Sequence, residues 1–128
     1  MENTIKKMNL EFFGTGQHKI TPEKFFETAG AVFLDLRANE EAETIAFNFK
    51  YFDIEVVHIP FNELADRFTE LPKDRLIGTF CSGGARGAMA FPFLLSKGFD
   101  KVKWIDGGYE QITPLLKPGR ILKKSSLK

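Results

Sequence analysis

The sequence predicts an α/β protein, a mostly parallel β-sheet with helices on both faces. Three observations carry this. Strand-like and helix-like segments alternate along most of the 128 residues, the order that builds parallel sheets. Two of the strand segments, Ala31-Val32-Phe33-Leu34-Asp35-Leu36 and Leu76-Ile77-Gly78-Thr79-Phe80, are almost wholly apolar, as strands buried on both faces are. The polar residues best suited to chemistry, Asp35 with Arg37, Cys81, and Asp106-Gly107-Gly108, all follow strand C-terminal ends. In open sheets of this type, ligands bind beyond those ends.

The elements follow in order. Met8-Asn9-Leu10-Glu11-Phe12-Phe13 alternates loosely and is expected as a short edge strand, closed by Gly14-Thr15-Gly16. Thr21-Pro22-Glu23 starts a helix with an N-cap hydroxyl, proline at the first position and an acid in the first turn; it runs to about Ala29, and Gly30 ends it. The strand 31–36 comes next. Asn39-Glu40-Glu41-Ala42-Glu43 then caps a short helix, and its acids suit the helix dipole. Phe47-Asn48-Phe49-Lys50-Tyr51-Phe52 reads as a strand or an irregular loop, and its four aromatic residues are expected to pack inward. Glu55-Val56-Val57-His58-Ile59 is a strand stopped by Pro60, and residues 62–68 form a helix with Leu64 and Phe68 on one face. The strand 76–80 leads to Cys81, and a helix runs from there to about Lys97, with Gly98 as its C-terminal signal. Pro92 is expected in its first turns or at a kink. Lys101-Val102-Lys103-Trp104-Ile105 gives a last strand, and a short helix runs from Tyr109 to about Leu116.

Length and composition fit one soluble domain over residues 1–128, with a core over about 18–116 and a basic tail over 117–128. The net charge of +1 does not argue for nucleic acid. Removing the five positive charges of the tail from that total leaves −4 on residues 1–110, so the tail could meet an acidic partner or simply be solvated. No apolar run approaches membrane-spanning length, so no membrane partner is expected. The first residues hold no apolar leader segment and the chain has a single cysteine, so cytoplasmic residence is expected. That cysteine with His18 and His58 shows no metal-ligand spacing, and neither a metal nor a cofactor is expected.

The richest stretch is Cys81-Ser82-Gly83-Gly84-Ala85-Arg86-Gly87, set between an apolar strand and a helix N-terminus. Helix N-termini present unpaired N–H groups and partial positive charge, and glycines let a loop turn further N–H groups inward. A thiolate at Cys81 is stabilised there. Ser82, Gly83, Gly84, Ala85, Arg86 and Gly87 then form a substrate-binding loop, with the Arg86 guanidinium able to hold an anion. The plain alternative is a buried structural cysteine beside a tight turn.

These residues resemble a family. Asp35-Leu36-Arg37, Ile59-Pro60-Phe61-Asn62-Glu63-Leu64, Cys81-Ser82-Gly83-Gly84-Ala85-Arg86, Leu94-Leu95-Ser96-Lys97-Gly98-Phe99-Asp100-Lys101-Val102 and Asp106-Gly107-Gly108 look like a single-domain rhodanese, over roughly residues 18–112. The resemblance implies a five-stranded parallel sheet flanked by helices. It also implies sulfur transfer through a persulfide on Cys81, from thiosulfate or a persulfide donor to a thiol, cyanide or a sulfur-accepting protein. Asp35 and Arg37 are expected to support the loop from behind; a surface ion pair is the alternative. Gly87 stands where many members carry Ser or Thr, and Ser82 where many thiosulfate users carry a basic residue. Tyr109 and Gln111 occupy the region where a tryptophan often follows the Gly-Gly, and the aromatic 47–52 stretch replaces a Gly-His-Ile-Pro-like segment.

Two other functions use such a loop. A cysteine phosphatase or arsenate reductase needs a longer run between Cys and Arg than the four residues Ser82–Ala85, and Phe80 stands where phosphatases place histidine. A non-catalytic binding or sulfur-carrier module would keep the loop as a vestige and dock through the aromatic stretch and the basic tail.

Overall fold

The computed structural model describes residues 1–116. The basic tail expected at 117–128 lies outside the described residues. Five strands, β1 (Lys19–Ile20), β2 (Val32–Asp35), β3 (Glu55–His58), β4 (Ile77–Phe80) and β5 (Val102–Ile105), form one sheet. Their order is β1-β5-β4-β2-β3, and every pairing is parallel. β4 and β2 lie centrally, which is why their residues are buried throughout. Alternation along β2 sends Val32 and Leu34 into one apolar cluster with Ile59, Leu64, Ile77 and Leu94. Phe33 points the other way, into a cluster with Phe25, Phe49, Phe80, Ile105 and Ile112. The sheet thus has a core on each face.

The α-helices among the described residues are α1 (Glu2–Lys6), α2 (Leu10–Gly14), α3 (Pro22–Phe26), α4 (Asn39–Thr44), α5 (Leu64–Arg67), α6 (Ala85–Ser96) and α7 (Tyr109–Ile112). The edge strand expected over Met8–Phe13 is instead α2. Asn9 Oδ1 accepts the Phe12 N–H and caps it, and Phe12 packs on Phe91 of α6. The edge strand in this part of the chain is β1, whose two residues pair with Trp104 and Ile105. The helix begun by Thr21 and Pro22 ends at Phe26, short of Ala29, and the chain turns at Gly30 with φ +84°.

The aromatic stretch is a loop ending in a 3₁₀ turn over Lys50–Phe52. It packs inward as its composition predicts: the rings of Phe47 and Phe49 lie 5.3 and 4.9 Å from that of Phe33. The 62–68 region is mixed, with 3₁₀ turns on either side of α5. Pro92 lies inside α6, past the first turn. Its missing N–H leaves the carbonyl one turn back without its helical donor. Among the described residues no helix is long and apolar enough to cross a membrane.

Candidate active site

β4 delivers Cys81 to the C-terminal edge of the sheet, and the loop then climbs into α6, the longest helix among the described residues. Gly84 is its N-cap at φ +91°, a backbone state that side chains resist. That turn sets the first turn of α6 over the cysteine. The Arg86 N–H donates to Cys81 Sγ at 3.2 Å. Cys81 is 1% exposed, so the groups that can stabilise charge on its sulfur are loop and helix N–H groups rather than bulk water.

The loop is fixed from three sides. Thr79 Oγ1 donates to the Gly87 carbonyl at 2.7 Å, tying β4 to the first turn of α6. Trp104 Nε1 donates to the Gly84 carbonyl at 3.2 Å. Gly108 presses so closely from below that a Cβ there would sit 2.1 Å from the Ser82 carbonyl oxygen. The sequence Asp106-Gly107-Gly108 therefore meets the cysteine loop, as its position after β5 predicts. Gly87 is also spatially constrained: a Cβ would stand 3.2 Å from both the Thr79 carbonyl oxygen and Trp104 Cδ1.

Asp35 and Arg37 form a buried pair, with the Arg37 side chain at 0% and Asp35 at 3% exposure. The surface ion pair is thereby excluded. Arg37 Nε and Nη2 each donate to the Asp35 carboxylate at 2.8 Å. Arg37 Nη1 donates to the Tyr109 hydroxyl at 2.9 Å and to the Glu41 carbonyl at 3.3 Å. Its guanidinium lies 4.2 Å from the centre of the Phe47 ring. Burial works against the Arg37 charge, yet the bonds to Asp35 and Tyr109 hold its pKa above the ordinary value. The pair touches the loop only through intermediaries: it positions α4 and α7.

Glu41, on α4, is the residue that sequence reasoning missed. It reads there only as one of several acids suited to a helix N-terminus. In the fold its carboxylate accepts Arg86 Nη1 at 2.6 Å and Nη2 at 3.0 Å. It also accepts the Ser82 hydroxyl at 2.7 Å and the Ala38 N–H at 2.9 Å. Arg86 Nη2 further donates to Ser82 Oγ at 3.1 Å. The bonds from Arg86 and Ser82 pull the Glu41 carboxyl down to about 2. Glu41 likewise raises the pKa of Arg86, with Cys81 adding to the effect. No local pattern marks it; only its place four residues after Arg37, at the sheet edge where the loop also lies, sets it apart from the neighbouring acids.

His58 is half-buried, with Nε2 2.7 Å from the Arg37 carbonyl oxygen. His18 stacks on Trp104 at 6.1 Å. A cavity of about 590 Å³ lies toward the N-terminal ends of β3 and β4, lined by Phe49, Lys50, Asp53, Glu55 and Arg75 among others. None of the loop residues lines it.

This arrangement of sheet, cysteine loop and supporting glycines has relatives. The family model for the rhodanese-like domain matches residues 23–114, and the chain belongs to that family. A tRNA sulfurtransferase of Psychromonas ingrahamii is 33% identical over 72 residues, 56% of this chain and 14% of that protein. A tRNA uridine(34) hydroxylase of Corynebacterium urealyticum is 35% identical over 101 residues, 74% of this chain and 34% of that protein. The chain spans only 14–16% of the length of these tRNA sulfurtransferases. Among solved structures, a rhodanese-related protein from Thermoplasma volcanium superposes with a TM-score of 0.66 at 24% identity, covering 79% of this chain and 95% of the other. A NAD-dependent persulfide reductase from A. fulgidus does so at 0.60 with 33% identity, covering 77% of this chain and 16% of the other.

Proposed function

We propose that this protein is a sulfurtransferase that carries sulfane sulfur on Cys81. The observation that carries the reading is the Arg86 N–H aimed at Cys81 Sγ from the first turn of α6. Family membership and relatives named as sulfurtransferases support it. The Cys81 thiolate attacks the outer sulfur of the donor. A new S–S bond forms on Cys81, the donor's bond to that sulfur breaks, and the electron pair leaves with sulfite or with a thiolate. The loop N–H groups and the helix dipole stabilise the terminal persulfide sulfur. An acceptor nucleophile, cyanide or a thiol, then attacks that sulfur and regenerates the Cys81 thiolate. Cys81 is the chain's single cysteine, so the acceptor thiol is external, on a small molecule or a partner protein. A free thiol of this kind suits a cytoplasmic location.

The pairing of Arg86 with Glu41 argues against phosphatase chemistry, because both Nη groups that would hold a phosphoryl dianion are already engaged. Intact-mass analysis after incubation with a sulfur donor tests the proposal. Wild type gains one sulfur and Cys81→Ser gains none. No gain on wild type, or the same gain on Cys81→Ser, overturns it. The burial of Cys81 favours a second reading, a non-catalytic module with a closed loop. Iodoacetamide separates the two: a module leaves Cys81 unalkylated near neutral pH, whereas a working loop opens to the reagent.

A further inference from the structure

Resting on the sulfur-transfer reading, we propose that Glu41 sets donor specificity: by neutralising Arg86 it makes the loop select monoanionic alkyl persulfides over dianionic thiosulfate. Arg86 is the only cationic side chain of the Ser82–Gly87 loop. In a loop built to take a dianion, that cation would be left for the substrate. Here Glu41 occupies Nη1 and Nη2 in a two-point contact. Ser82 could offer the donor a hydroxyl, but it donates instead to Glu41 Oε2 and accepts from Arg86 Nη2. The side chains at the mouth thus carry no net charge and have spent their strongest donors on one another.

The backbone remains. Its N–H groups, with Arg86 N–H on Cys81 Sγ as the observed example, suit one sulfur bearing one negative charge. A thiosulfate ion must also seat its sulfonate group, and the Glu41 carboxylate lies beside the guanidinium that would seat it. Like charges at such spacing repel. An alkyl persulfide asks for less. The bound monoanion R–S–S⁻ reacts through its protonated form R–S–SH: the Cys81 thiolate attacks the outer sulfur, the Cys81 S–S bond forms, the donor S–S bond breaks, and the leaving RS⁻ takes up that same proton, leaving the negative charge on the Cys81 persulfide. Glu41 touches neither reacting sulfur in this step. It acts through Arg86 and Ser82, as a positioning residue.

Cysteine persulfide and thiosulfate are the two probes, and the rate of sulfur gain on Cys81 by intact mass, at several concentrations of each, is the readout. Wild type should load more efficiently from cysteine persulfide. Glu41→Gln, which keeps the shape and drops the charge, should tighten apparent thiosulfate affinity on the order of tenfold while leaving the maximal loading rate and persulfide efficiency within about twofold. Glu41→Asp should restore the discrimination. Equal efficiency of both donors on wild type, or a parallel fall with both in Glu41→Gln, overturns the inference and leaves Glu41 a structural residue. Wild type alone supplies a check that needs no variant to fold. With Arg86 neutralised, thiosulfate loading changes less than about twofold as salt rises from roughly 0.05 to 0.5 M; a steep fall marks a free cation and overturns the inference. Failure of both donors to load Cys81 defeats sulfur transfer itself, whereas loading from both with an unchanged ratio defeats only the role of Glu41.

Discussion

Arg86 and Glu41 meet end to end, Nη1 on Oε1 at 2.6 Å and Nη2 on Oε2 at 3.0 Å, across 45 positions of sequence. The contact joins the first turn of α6 to α4, so the cysteine loop is braced by a helix from another part of the chain. A two-point fork fixes direction as well as distance. With about a third of each side chain exposed, solvent screens the pair, and it adds little to overall stability.

The pair still leaves a pH signature. The Glu41 carboxyl titrates at about 2 in the folded protein against an ordinary 4.5. A lowered folded pKa means stability that is complete above the unfolded value and is lost as pH falls through the folded one. Wild type should therefore lose stability between pH 4.5 and about 2 in excess of Glu41→Gln. Urea unfolding at stepped pH checks this; parallel curves for the two proteins would show that the pair contributes nothing.

The buried pair at the end of β2 should respond more sharply. Asp35→Ala leaves the Arg37 guanidinium buried with only Tyr109, a backbone carbonyl and the Phe47 ring as partners. Removing one member of a buried pair costs about 3–5 kcal/mol. Replacing both residues, Asp35→Ala with Arg37→Met, should cost less than Asp35→Ala alone, because no unpaired charge remains. Denaturant midpoints for the two variants give the comparison, and an equal or larger loss in the double variant would contradict the argument.

The strand–helix alternation was legible because the central strands are buried on both faces and read as unbroken apolar runs. The loop was legible because its glycines, cysteine and arginine are contiguous. The N-terminus was misread for a physical reason: adjacent Phe12 and Phe13 give no clean period, and the decisive signal was the Asn9 cap rather than the apolar pattern. β1 escaped because two residues carry no periodicity. The bracing of the loop escaped more completely. Glu41, Trp104 and Tyr109 act on residues far away in the chain, and no local pattern marks such contacts. Trp104 also accounts for Gly87. A Cβ at that position would lie 3.2 Å from Trp104 Cδ1 and from the Thr79 carbonyl oxygen, tighter than most side chains tolerate.

Gly108 offers the most direct test of how closely the loop must be held. Its φ of −132° is negative, so Gly108→Ala does not demand the left-handed backbone that favours glycine. The obstacle is contact alone: the new methyl would lie 2.1 Å from the Ser82 carbonyl oxygen and must push the loop or the turn after β5 aside. Backbone sits on both sides, and neither can rotate away as a side chain would. A displacement of about 1 Å at a reacting centre slows chemistry on the order of 10²-fold. Gly108→Ala should therefore slow sulfur loading of Cys81 by roughly that factor, while the sheet, whose strands it does not touch, keeps its circular dichroism spectrum. Gly83→Ala is the matched control, since a Cβ there meets nothing within 4 Å. Loading rates within about twofold of wild type for Gly108→Ala would mean that the loop position is not what limits the transfer.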